Sequence, residues 1–441
     1  MRVGQRGTRH DLWRLLRGNR DFRRLYAAQL VSFGGDWFLI VALSGLVLRL
    51  TGSATYVTAI FVAYNVPFAL GALWGGRLAD RADRKRVMIV ANVARGFLAL
   101  GFLFVDTRSD LWLAYTLAAT LSAISSFFLP AASATVPNIV DERDLGAANV
   151  LAGSAWGTML AVGAGIGGIV VAEFGADTAY VVDAATFFVG AALILGIRAP
   201  TTRSTNERRG EGMLAGTREG LAYVRADPDV LVLLSTRFGV GLAVGVVALL
   251  PVMAIDLLDA GDRGTGWLFA FRGAGAVLGP FAFRHLTAEF DRRATVSALL
   301  VLPVVFTAFY AISPWMPGIL AAGAAVFLAH LAGGAHWMLS TYAYQSIVPD
   351  RVLGRVFGVD GSIVTSTMAI SNLSSGWLAS TVGVRSALGL IAGLVILVML
   401  LTVLLHRGRT RSRVGTAQVA GPEGPSPAAE HNGPPGSAPQ A

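Results

Sequence analysis

Six ionisable side chains stand inside long apolar stretches: Asp36, Arg95, Asp183, Arg237, Arg272 and Asp360. A charge at the centre of a membrane-length helix costs about 2.5–3.5 kcal/mol on insertion scales, so each must face protein or water, not lipid. Three acids and three bases suit two kinds of chemistry: static ion pairs that fix helix packing, or proton exchange and attraction of a charged solute. Asp36, near the middle of the first apolar run, is the best-placed proton-exchanging group, because desolvation brings a carboxylate's proton exchange into the neutral range. Arg237 and Arg272 suit attraction of an anionic or catecholate-like solute, or tuning of the acids. Arg95 is the least certain to face a cavity. Asp183 lies about five residues from the end of its run, within reach of water, and Asp360 lies near the edge of its own.

The aromatics Trp37, Tyr64, Trp156 and Trp337, with Phe187, Trp267 and Tyr342, suit either an amphipathic substrate cavity or ordinary packing and interfacial positions. His330 and His336 are six residues apart, about 240° around a helix at roughly 100° per residue, so one metal ion cannot take both from one face. Satisfied structural histidines are the expectation, with no metal and no cofactor. The chain has no cysteine, which excludes disulfides, thiolate metal sites and cysteine nucleophiles. Gly163-Ala164-Gly165-Ile166-Gly167-Gly168 spells a dinucleotide-type glycine pattern, yet no strand precedes it and it lies inside an apolar run. Close helix packing at Gly163, Gly167 and Gly168 is the better reading. No phosphate-binding loop occurs, and no nucleophile motif stands in a plausible context.

The elements that must position these groups are membrane helices. Of 441 residues 54% are hydrophobic and 14% charged, whereas soluble domains carry about a quarter charged. Twelve apolar runs can be read, over 27–49, 55–79, 87–105, 111–136, 147–172, 178–197, 230–256, 264–285, 294–312, 316–343, 356–380 and 384–405. Most are near the roughly 20 residues that span a bilayer as helix. The net charge of +9 would suggest nucleic acid in a soluble protein, but the distribution decides otherwise. With the N-terminus inside, 29 of the 36 Lys and Arg fall on the inner side and four outside (Arg49, Arg108, Arg263 and Arg385). That is the positive-inside pattern, with both termini cytoplasmic.

The sequence divides into a basic arm (1–26), a six-helix half (27–197), a cytoplasmic linker (198–228), a second six-helix half (229–406) and a disordered tail (407–441). Asp11 to Tyr26 mixes apolar and charged residues and suits a short amphipathic helix along the inner surface, or a plain retention signal. The arm is too basic and too long for a cleaved signal peptide, and a linker helix is expected near 212–225. A gapless shift of 208 residues lays Leu78, Asp83 and Arg84 on Leu286, Asp291 and Arg292. The same shift lays Ile139, Arg143 and Gly146 on Ile347, Arg351 and Gly354. Two halves of the same orientation follow, related by an axis along the membrane normal.

The turn between the second and third runs reads Gly76-Arg77-Leu78-Ala79-Asp80-Arg81-Ala82-Asp83-Arg84-Lys85. With twelve helices in two halves, this motif resembles the major facilitator superfamily over about residues 12–406. Asp83 stands where that pattern usually has glycine. The form of the motif, with Gly35-Asp36-Trp37 and Gly354-Arg355-Val356-Phe357-Gly358, is similar to the bacterial branch containing the enterobactin exporter and drug efflux permeases. The glycine run keeps only part of that superfamily's antiporter pattern, since Ala164 occupies the proline position. The resemblance implies a gate motif of Gly76, Asp80, Arg81, Arg84 and Lys85, in which Asp80 docks near Gly354 and Arg355. It also implies a secondary active transporter in the cytoplasmic membrane, a monomer with no nucleic-acid partner, exporting small amphipathic molecules by proton-driven alternating access. An uptake permease, a non-transporting sensor or scaffold with the same fold, and an embedded enzyme are the alternatives.

Overall fold

The computed structural model describes residues 9–200, 213–283 and 292–419; side chains are described for these except at 9–11, 72–81, 213–217, 292–293, 350–351 and 405–419. Among the described residues the chain is helical with no strand. The N-terminal part comprises α1 (Arg9–Gly18), α2 (Arg20–Thr51), α3 (Ala54–Arg81), α4 (Arg84–Gly101), α5 (Leu111–Ile139) and α6 (Leu145–Leu195). Then come α7 (Met213–Ala226) and α8 (Pro228–Val244), which continues through a 3-10 turn and a π turn to Leu257. The C-terminal part continues with α9 (Gly261–Ala282), α10 (Arg292–Ile312), α11 (Gly318–Ile347), α12 (Asp350–Val382) and α13 (Val384–Val419).

Local sequence sets the breaks. Asn19 separates α1 from α2: its side chain accepts from Phe22 N at 2.9 Å and donates to the Ile139 carbonyl at 2.6 Å. The first long helix therefore starts at Arg20, earlier than the expected 27. Asp83, the departure from the superfamily pattern, is the N-cap of α4, accepting from the backbone N–H groups of Lys85 and Arg86. Such a cap is worth about 1 kcal/mol. Gly175 sits at φ 83° and ψ 171° inside α6, a left-handed-side conformation that a side chain would strain. It divides this 51-residue helix into two rods. The linker helix α7 falls close to its expected place, and α13 runs to Val419, past the expected tail boundary at 406.

Nine helical stretches among the described residues are long and apolar enough to cross a membrane, against the twelve runs expected. One of the nine, Glu142–Leu195, is 54 residues long, twice what a bilayer needs, and is broken at Gly175. The helices α9 and α12 have the length but are not among the nine. Their polar and small residues, Asp262, Arg263 and Arg272 in α9 and the serines and threonines of α12, dilute the apolar signal.

Long helices run between two ends: a hinge end carrying residues 82–86 and α7, and a far end carrying Gly52, Gly175 and Gly383. In the first half α2 lies along α6, α3 along α5, and α4 between α5 and α6. In the second, α9 and α10 pack on α11, while α12 and α13 flank α8. Across the halves α6 meets α9 and α3 meets α12. The buried apolar residues are distributed unevenly along this length. At the far end one cluster crosses both halves, joining Leu39, Leu43 and Phe187 to Val246, Leu250 and Phe269. Toward the hinge end, among the described residues, there are two separate clusters, one around Phe22, Met88 and Phe128 and the other around Leu233, Leu339 and Tyr344.

Candidate functional site

Three centres hold the six intramembrane charges. In the first half, Arg95 on α4 is 2% exposed and directs Nη2 at both carboxylate oxygens of Asp36 on α2, at 2.8 and 2.9 Å. Its guanidinium carbon lies 3.9 Å from the centre of the Phe187 ring on α6. Arg95, the least certain candidate in the sequence, is therefore a central member. Asp183, one turn before Phe187, is 0% exposed, and neither of its carboxylate oxygens has a hydrogen-bond partner among the described residues. The neighbouring Thr186 hydroxyl donates to the Asp183 main-chain carbonyl instead, at 2.7 Å. The expectation that water reaches Asp183 is wrong: its carboxylate is pressed against α2, where a side chain at Gly35 would collide with Asp183 and Thr186. Gly35 precedes Asp36, so both acids flank the same turn. The buried Tyr64 hydroxyl, also without a partner among the described residues, lies within electrostatic range of Asp36, Asp183 and Arg95.

The second half has its own pair. Arg237 on α8 is 2% exposed; its Nε stands 3.7 Å from Asp360 Oδ2 on α12, and Nη2 donates to Thr341 Oγ1 at 2.9 Å. The guanidinium lies 4.0 Å from the Trp337 ring centre. Tyr344 donates to the other Asp360 oxygen at 3.1 Å. Asp360 is thus buried and doubly engaged, which corrects its expected interfacial place. The two pairs are not copies of each other, since the 208-residue shift lays Arg237 on Gln29 and Asp360 on Ala152. His336 also departs from expectation: it is fully buried and neither ring nitrogen has a partner among the described residues.

Arg272 on α9 occupies the seam between the halves. Its Nε donates to His330 Nε2 at 3.1 Å, and the other His330 ring nitrogen lies 3.3 Å from the Tyr310 hydroxyl. Trp37 on α2, Trp156 on α6 and Phe269 on α9 surround its guanidinium, with ring centres 5.6, 5.7 and 5.8 Å away. Trp37 is buried and meets Trp156 edge-on at 6.1 Å, whereas Trp156 is 46% exposed. Of the expected aromatic set only Trp37 and Trp156 meet here; Phe187 lies over Arg95, Trp337 over Arg237, and Tyr64 is near the Asp36 cluster.

The seam is tight toward the far end. A Cβ added to Gly168 would lie 2.7 Å from the Gly266 Cα across the seam; within the first half, one at Gly163 would lie 2.9 Å from the Gly34 carbonyl oxygen. Gly167 is similarly close to the Phe38 Cα, at 3.1 Å. On α12, Gly376 abuts Ala54 and Thr58. Gly361, Gly358 and Gly354, successively nearer the hinge end, have no described atom within 4 Å of where a Cβ would stand. Polar contacts missed in the sequence also tie the far end. Arg49 meets Asp262 at 2.7 Å, Arg263 meets Glu173, and Ser53 meets Ser380 at 3.2 Å. Their one signal was the adjacent opposite charges opening the eighth run.

Of the expected gate motif, the side chains of Gly76, Asp80 and Arg81 lie outside the described residues. Arg84 donates to the Ala134 carbonyl at 2.7 Å and Lys85 to the Ile197 carbonyl at 2.6 Å, placing positive charge at the C-terminal ends of α5 and α6. Arg355 reaches Glu219 of α7, tying the linker helix to α12.

A family model described as transmembrane secretion effector matches residues 14–429. Relatives include an uncharacterised major-facilitator-type transporter, YfiS, of Bacillus subtilis, 25% identical over 88% of this chain and 94% of its own. The multidrug efflux pump Tap of Mycolicibacterium fortuitum is 26% identical, covering 87% of this chain and 95% of its own. The putative bacilysin exporter BacE of Bacillus subtilis is 25% identical over 87% and 94%. Among solved structures, the nucleoside transporter NupG superposes with TM-score 0.70 at 10% identity, covering 87% of this chain and 98% of that one. A bacterial homologue of the lysosomal transporter Spinster, inward-facing and unoccupied, gives 0.69 at 13% identity over 91% and 98%.

Proposed function

The chain belongs to the transmembrane secretion effector family of major facilitator transporters, and we propose that it exports small amphipathic molecules by proton-driven alternating access. The carrying observation is the divided core: one apolar cluster joins the halves at the far end, and two separate clusters flank the hinge end. Among the described residues, that division supports a route sealed at the far end and accessible from the hinge end. The positive-inside distribution supports a cytoplasmic hinge end, and so an inward-facing state with twelve crossings and both termini inside. The efflux and exporter names of two relatives support outward transport.

The reading assigns proton coupling to the cluster of Arg95, Asp36 and Asp183. One guanidinium serves two carboxyl groups, and in this state it is engaged by Asp36. Burying an ionised carboxylate with neither oxygen hydrogen-bonded among the described residues is costly, so the reading assigns the exchangeable proton to Asp183. Exchange of Arg95 between the two acids would free that proton when the cluster rearranges. The Arg237–Asp360 pair, held by Thr341, Trp337 and Tyr344, is assigned a static packing role in the second half. The test is a comparison of dye and drug retention in cells with and without the protein. Extrusion should stop when a protonophore is added; extrusion indifferent to the protonophore would remove proton coupling, and none of any compound would remove export.

A further inference from the structure

Of the three cations in the spans, Arg95 and Arg237 each meet an aspartate, and Arg272 meets no carboxylate among the described residues. Its hydrogen-bonded partner is neutral. His330 accepts through Nε2, which puts the imidazole proton on Nδ1, facing the Tyr310 oxygen. Among the described residues that bond uses Nε alone, leaving the outer fork of the guanidinium, with four N–H donors, unspent. Three aromatic rings from both halves surround the fork, which softens the charge without neutralising it. The side chain is half-buried on the seam, and the neighbouring Trp156 is exposed. The anions that could have compensated it are already committed: Asp36 to Arg95, Asp360 to Arg237 and Tyr344, while Asp183 is sealed at 0% exposure.

We infer that Arg272 is the docking point for an oxyanion, a carboxylate first of all, on an amphipathic substrate whose apolar body lies against Trp37, Trp156 and Phe269. A planar fork with parallel N–H groups matches a carboxylate bidentately. The rings supply apolar surface on either side of it, and His330 with Tyr310 holds the fork's direction from behind. A cationic substrate meets repulsion at the same point. This inference rests on the export reading in taking the seam as the substrate route.

The test uses the full chain in lipid nanodiscs and three dansyl probes that share one hexyl body and end in a carboxylate, a carboxamide or an ammonium group. Energy transfer from tryptophan reports binding. The carboxylate should bind roughly ten-fold or more tightly than the carboxamide, and the ammonium most weakly. In Arg272→Gln the carboxylate should fall to the carboxamide's affinity while the carboxamide stays unchanged, which also reports an intact cavity. Arg272→Lys should fall between, keeping charge and losing the fork. An arm needing no variant is displacement of the carboxylate probe from the unmodified protein by benzoate, with benzamide ineffective. Equal binding of the three probes, tighter ammonium binding, no binding by any, or a carboxylate preference that survives Arg272→Gln would overturn the inference. Proteoliposomes with a pH gradient separate it from the export reading. Gradient-driven movement without carboxylate preference keeps export and removes the anion site; Arg272-dependent binding without movement keeps the site and removes export.

Discussion

Arg49 and Asp262 meet across the two halves at 2.7 Å, and the next residue, Arg263, meets Glu173 on a different helix of the first half. One turn of α9 thus carries an acid and a base that each find the opposite charge across the seam. Arg263 and Glu173 are both about half-exposed and Arg49 is too, while Asp262 is more covered; exposed ion pairs contribute about 0–1 kcal/mol. They orient the closure more than they hold it. The strength lies deeper, where Gly168 and Gly266 bring two backbones together with no room for a side chain.

That ranking can be measured by thiol labelling. The chain has no cysteine, so Ser380→Cys introduces a single reactive thiol. Adding Asp262→Asn should raise its labelling by an impermeant maleimide by no more than about five-fold, the equivalent of roughly 1 kcal/mol. Adding Gly168→Val should raise it at least about ten-fold, because the new side chain would lie against the Gly266 Cα and the Asp262 carbonyl. Equal effects of the two changes would put the closure in the ion pairs after all.

Breaking the part-buried Arg95–Asp36 pair from one side should be expensive. Arg95→Gln leaves Asp36, whose side chain keeps 20% exposure, without its guanidinium and should cost about 3 kcal/mol, the low end of the range for an uncompensated buried charge. Combining it with Asp36→Asn should recover most of that loss. Thermal unfolding in detergent reads both, and a double variant no more stable than the single would show that the pair is not the stabilising unit.

Asp183 should behave in the opposite way. Because neither of its oxygens has a partner among the described residues, Asp183→Asn removes no ion pair and should leave stability within about 1 kcal/mol. Proton-driven extrusion should nevertheless be lost, with substrate moving only down its own gradient. Undiminished coupling in Asp183→Asn, measured in everted vesicles, would return the proton to Asp36.

Much of this is legible in the chain. The six intramembrane charges stand out because such residues are costly, and all six lie in the three centres described. Pairing is not legible, because it depends on which helix faces meet, and the repeat offers no help when Arg237 aligns with Gln29. The depth of Asp183 cannot be had by counting along its run. Five residues from a boundary at 178 implies water, but depth along the run says nothing of which face packs, and Gly35 lets the carboxyl pack directly against α2. The far-end contacts escape notice because Arg49, Glu173, Asp262 and Arg263 read as ordinary loop charges. Twelve runs became nine strongly apolar stretches because two runs join in Glu142–Leu195 and because α9 and α12, which line the seam, carry the polar residues that a seam uses.

The most direct measurement of alternating access is a reversible lock on the far end. Ser53 and Ser380 stand hydroxyl to hydroxyl at 3.2 Å, close enough for a disulfide once both are replaced by cysteine. In the S53C/S380C protein, oxidation should abolish substrate extrusion and reduction should restore it, while each single variant transports in either condition. Extrusion that continues at full rate with the cross-link formed would contradict a cycle in which this end must open.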